Sequence, residues 1–100
     1  MAVTKKKLTP SSIKKTLAPV LKEYGVKRAY LFGSHSRGDA TLKSDVDLLI
    51  YFPRPFTFFD LFDVREKLKR KIRRKVDIIT PGNLTPRLNK RIKEDLKRIV

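Results

Sequence analysis

The stretch "LFGSHSRGDATLKSDVDLLIYF", Leu31 to Phe52, constrains the fold of this chain more than any other. An apolar run stops at Gly33-Ser34, ten mostly small, polar or charged residues follow, and a second apolar run opens on Asp45-Val46-Asp47. Side chains alternate along a strand, so Asp45 and Asp47 share one face while Val46, Leu48 and Ile50 share the other. Two carboxylates about 7 Å apart at Cα repel by roughly 2 kcal/mol at an effective dielectric near 20. Each also resists burial unless something compensates its charge. An apolar strand that begins this way needs a partner for its acids.

The rest of the chain orders itself around that unit. "SSIKKTLAPVLKEYG" reads as a helix: Ile13, Leu17, Val20, Leu21 and Tyr24 share a face, Ser11 or Ser12 caps it, and Gly25 ends it. Pro19 inside it predicts a kink or a second helical piece. Val26 to Phe32 is a strand, and Asp45 to Phe52 a second one, ended by Pro53 and Pro55. Thr57 with Asp60 forms a capping box. It opens a helix whose stripe of Phe58, Leu61, Phe62, Leu68 and Ile72 runs to about Arg74. "KVDIIT" is a third short strand. Thr85 caps a last helix with Pro86 at its first position and Leu88, Ile92 and Leu96 on its apolar side. The expected fold is α/β (α+β), a small mixed β-sheet with helices packed on it. One domain over residues 1–100 is expected, with residues 1–9 a loose basic start.

Composition narrows the function classes without choosing one. Twenty-five Lys and Arg against ten acids give a formal charge of +15. That suits polyanionic partners, or equally a solvated surface rich in ion pairs. Seven cations crowd into "KLKRKIRRK", Lys67 to Lys75, where nucleic acid can bind and where the end of a helix also favours positive charge. No cysteine is present, which excludes a disulfide framework and thiolate metal sites. No run of about 18 apolar residues offers a membrane span, and the lysines of the N-terminus precede no signal-like apolar segment. A cytoplasmic protein without a membrane partner is expected. The Phe56, Phe58, Phe59 and Phe62 cluster is expected in the core, the alternative being a docking surface if its members are exposed, and His35, the one histidine, is expected exposed in a loop.

The chemistry lies in what the turn and the acids do together. A strand ending in Gly33-Ser34 and turning into a helix aims backbone N–H groups and a hydroxyl at an anion. Gly33 adds no side chain to hold a phosphate off, and Arg37 follows one turn later as a cation for phosphate. Oxygen ligands such as Asp45 and Asp47 suit Mg²⁺ or Mn²⁺. Asp77, in the third strand, joins them if that strand lies beside the second. A phosphate cradle and a divalent-metal cluster in one strand–helix–strand unit fit metal-assisted transfer at phosphorus.

Gly33-Ser34, ten residues, then Asp45-x-Asp47, with "FGSxxRG…SDxDLLI" and the later "xVDIIT", resembles the signature of the DNA polymerase β-type nucleotidyltransferases. Over about residues 13–100 it is similar to their minimal branch. The resemblance implies that Gly33 and Ser34 hold ATP phosphates and that Asp45 and Asp47 bind Mg²⁺. It also implies that Asp77 ligates a second ion and helps deprotonate the incoming hydroxyl. It implies a HEPN-type helical ribonuclease toxin as partner, adenylylated on tyrosine, with this chain as antitoxin. The other readings are an antitoxin that neutralises by binding alone, and a nucleotide- or nucleic-acid-binding module. At this length an acceptor site has to come largely from a partner or a second copy.

Overall fold

Thr9 opens the first helix. In the computed structural model, which describes residues 8–53 and 55–100, its hydroxyl accepts from the Ser12 backbone N–H at 3.1 Å. Its own N–H donates to the Ser12 hydroxyl at 3.0 Å. This reciprocal cap, with Pro10 at the first position, starts α1 (Pro10–Glu23) slightly earlier than Ser11 or Ser12 would. Residues 1–7 of the expected loose start lie outside the described residues. Pro19 neither ends nor divides α1. It and Lys15, whose carbonyl loses its helical donor, both lie on the exposed side, where water can satisfy the freed group.

The chain continues as β1 (Arg28–Phe32), a single-turn α2 (Ser34–Arg37), β2 (Val46–Tyr51), α3 (Phe58–Ile72) and β3 (Val76–Ile79). A 3₁₀ turn at Pro81–Asn83, α4 (Pro86–Ile92) and β4 (Lys97–Arg98) complete it. The sheet order is β3-β2-β1-β4, with β1 antiparallel to both β2 and β4 and β2 parallel to β3. The mixed sheet expected from sequence is therefore present, with β4 added. The last helix does not reach Leu96 as its apolar spacing suggested. It stops at Ile92, and the tail pairs with β1 through Tyr30–Arg98 and Leu31–Lys97.

Each face of the sheet buries its own core. Ala29, Leu31, Val46, Leu48, Ile50 and Val76 face α1 and α3 and pack against Leu17, Leu21, Val64 and Leu68. Each fully buried Leu or Ile contributes about 1.5–3 kcal/mol. The opposite face is smaller: Phe32 and Leu49 with Ile92 of α4, flanked by Tyr30, Tyr51 and Leu88. This second face carries Asp47 and Asp77.

The inward stripe of α3 is Val64, Leu68 and Ile72, with Leu61 half-buried. The phenylalanines expected in the core lie mostly outside it. Phe58 is 89% exposed, Phe59 83% and Phe62 53%. Only one of the two apolar stripes on this helix can face the sheet, and the aliphatic one does.

Candidate active site

Gly33 is where β1 ends and α2 begins. Its φ is +78°, and a Cβ there would run into the Asp47 carboxylate, 3.2 Å from its Cγ. Both the backbone angle and the close approach require glycine. The Gly33 carbonyl accepts from the N–H groups of Ser36 and Arg37, fixing the single turn that presents Ser34. The Ser34 hydroxyl has no protein partner among the described residues and lines a cleft of about 350 Å³. Gly33, Arg37, Asp47, Arg91 and Asp95 line the same cleft.

The strands align the acids. Asp47 is registered opposite Phe32 on β1 and opposite Asp77 on β3, so the two carboxylates stand on adjacent strands of one face. Asp45 lies two residues earlier, just before β2 begins, half-buried. Half-burial pushes the Asp47 carboxyl up to about 6, and the negative charges of Asp77 and Asp45 push the same way against a smaller opposing pull from Arg37. The three acids are thus coupled through space. Among the described residues, no group of three or more acidic or histidine side chains stands placed to hold a metal ion. Strand register nonetheless aligns Asp47 with Asp77, and side-chain rotation leaves that alignment unchanged. An all-oxygen set with a carboxyl held this high fits a hard divalent cation such as Mg²⁺.

The neighbours of this turn are more tightly tied than the sequence suggested. Arg37 donates through Nε to Asp39 at 3.1 Å and through Nη1 to Asp95 at 2.9 Å. Its guanidinium lines the cleft already engaged by two carboxylates. The Ser36 hydroxyl donates to the Asp95 carbonyl, so α2 is held to the segment before β4 at two points. His35, expected to be exposed, is buried at 2%. Its Nε2 lies 3.3 Å from the Ser44 carbonyl beside Asp45, and its Nδ1 is buried without a partner. The short α2 tucks His35 under the loop that leads to β2. Arg91 and Asp95 escaped the sequence reading, because nothing local ties the end of α4 to a turn nearly sixty residues earlier.

A glycine–serine turn against carboxylates aligned across a mixed sheet is the architecture of a nucleotidyl-transferring enzyme. The chain belongs to the nucleotidyltransferase domain family, whose model matches residues 13–99. Within that family it is a minimal nucleotidyltransferase. A solved minimal nucleotidyltransferase superposes with a TM-score of 0.76 at 25% identity, over 92% of this chain and 97% of the other. A protein of Methanocaldococcus jannaschii named as a protein adenylyltransferase is 34% identical over 82 residues, 82% of this chain and 88% of its own.

Two toxin–antitoxin structures share the fold. One, solved with AMP-PNP, has a TM-score of 0.76 at 19% identity, covering 87% of this chain and 72% of that one. The other is a Shewanella oneidensis tri-AMPylated HEPN toxin in complex with its MNT antitoxin. Its TM-score is 0.70 at 16% identity, covering 92% of this chain and 72% of that one.

Proposed function

We propose that this nucleotidyltransferase transfers AMP from ATP to a hydroxyl, a tyrosine, of a HEPN-type helical partner and thereby acts as its antitoxin. The observation that carries the reading is the register of Asp47 with Asp77, one residue across from the Gly33-Ser34 turn. The kinship with proteins named adenylyltransferases supports AMP as the group transferred. The toxin–antitoxin complexes of the same fold, one of them with a tri-AMPylated HEPN toxin, support a HEPN-type protein as acceptor. ATP as donor agrees with a cytoplasmic location, and among the described residues no helix is long and apolar enough to cross a membrane.

In this mechanism the backbone of Gly33 and the hydroxyl of Ser34 hold the β- and γ-phosphates in the cleft. Arg37, tethered to Asp39 and Asp95, sets the pitch of α2 and so the aim of that turn. Asp45, Asp47 and Asp77 would hold Mg²⁺, and that ion would supply positive charge to offset the phosphates. Asp77, exposed on the edge strand, takes the proton of the acceptor hydroxyl. The hydroxyl oxygen bonds to the α-phosphorus, the bond from that phosphorus to the bridging oxygen breaks, and pyrophosphate leaves.

The test incubates the purified chain with α-labelled ATP, Mg²⁺ and a purified HEPN-type protein from the same genome. Label is expected on the partner and abolished by Asp45→Ala with Asp47→Ala, while the variant stays folded and still binds the partner. Label retained by the double variant overturns the assignment of these acids. Full toxin neutralisation by a folded, transfer-dead variant makes the chain an antitoxin by binding alone.

A further inference from the structure

The outer side of α3 changes character along its length. Phe58, Phe59 and Phe62 stand exposed at its N-terminal end, around a concavity of about 540 Å³ that Leu61 and Arg65 complete. The Arg65 guanidinium lies 5.8 Å from the Phe62 ring centre. A contiguous aromatic surface of this kind marks an interface. The C-terminal end is cationic, and Lys69, Arg70, Arg73, Arg74 and Lys75, with one acid, Glu66, line a second groove of about 340 Å³. Of the seven cations from Lys67 to Lys75, only Lys67 has a carboxylate partner among the described residues: Glu23, at 3.4 Å. The Arg74 Nε is buried there without an acceptor.

We propose that the acceptor protein docks lengthwise on this helix. It seats an apolar surface on Phe58, Phe59 and Phe62 and lays carboxylates along Lys69 to Lys75. This rests on the partner-modifying reading given above and names the surface that serves it. Charge decides the occupant. A second copy brings another +15, and a two-fold axis that stacks the aromatic ends on each other leaves both cationic ends uncovered. Nucleic acid or an anionic membrane suits the cations alone, because Asp60 and Asp63 lie among the phenylalanines and repel phosphate there. An acidic protein face with an apolar ridge matches both halves.

The topology gives this docking a purpose. At 15 residues, α3 spans about 22 Å. It leads through Arg73, Arg74 and Lys75 directly into β3, the edge strand that carries Asp77. The nucleotide cleft lies on the other side of Asp47, toward α2 and α4. Because α3 packs on the sheet face opposite the one that carries Asp47 and Asp77, a protein held along its outer side reaches the carboxylates by extending round the open β3 edge.

Two variants test this with the purified HEPN-type acceptor that the wild type labels. They are Phe58→Ser with Phe59→Ser, both surface changes that spare the core, and Lys69→Glu with Arg70→Glu. Each is expected to raise the KM for the acceptor about tenfold or more, as loss of interface anchors does, while the Kd for Mg²⁺-ATP stays within about twofold. An unchanged acceptor KM in both variants refutes the docking surface and leaves the proposed function standing. A wild type that binds ATP but labels no acceptor refutes the function and the docking together. Sedimentation of the chain alone supplies a further check, because a dimer dispersed by the phenylalanine changes means that a second copy covers α3. Binding to phosphatidylglycerol vesicles or to a 20-nucleotide oligoadenylate that those changes abolish, with acceptor KM unaltered, also overturns the proposal.

Discussion

Replacing Asp47 by Asn should make the metal-free protein more stable, and only above a defined pH. Half-burial, then the charges of Asp77 and Asp45, raise the Asp47 carboxyl from its ordinary 3.8 to about 6 in the folded protein. A group raised in the folded state binds its proton more tightly there, so its contribution is intact below about pH 4 and is lost as pH climbs to about 6. Above that its ionised form is a constant cost. A shift of this size corresponds to about 3 kcal/mol, and solvent screening of a half-exposed side chain reduces it to about 1–2 kcal/mol. Asn keeps the shape beside Gly33 and removes the charge. Thermal unfolding in chelator should therefore show Asp47→Asn about 5–10 °C above wild type at pH 7.5. The two should nearly coincide at pH 3.5, with the gap opening between about pH 4 and 6. Added Mg²⁺ with ATP should raise the melting temperature of the wild type and barely move the variant. A variant less stable than wild type at pH 7.5 would mean that the carboxylate is held by a cationic side chain, and the reasoning fails. A gain equal at both pH values would mean packing rather than charge.

Gly33→Ala should cost about 2 kcal/mol or more in urea unfolding, since it adds both a left-handed backbone penalty and a Cβ against the Asp47 carboxylate. Gly25→Ala has a similar φ of +80° but meets only Pro53 at 3.5 Å, so it should cost about half as much. Equal losses would deny the close approach at Gly33. Arg37→Ala and Asp95→Ala should each lower the melting temperature modestly, with the double variant scarcely worse than either single one and the coupling smaller in 1 M salt. Additive effects would show that the pair does not anchor α2.

What the sequence determined by itself is what neighbours along the chain decide. The Thr57–Asp60 box starts α3 because each partner is three residues from the other. Alternation sends Val46, Leu48 and Ile50 to the core and leaves Asp47 on the opposite face, because strand period is a backbone property. The Gly33-Ser34 to Asp45-x-Asp47 spacing was readable for the same reason: one strand, one turn and one strand fix it. Tertiary structure alone decided the rest. The alignment of Asp47 with Asp77 requires β3 to lie parallel to β2 in one register out of several. The tail pairs as β4 because an open edge of β1 receives it, whatever its helical spacing suggests. On α3 two apolar stripes fit the same periodicity, and the aliphatic one packs on the sheet while Phe58 and Phe59 are left to solvent. His35 is buried, and Arg37 is held by Asp95, through contacts that cross nine and fifty-eight residues of chain. Periodicity reports which residues share a face; what that face meets is settled only when distant segments compete to cover it.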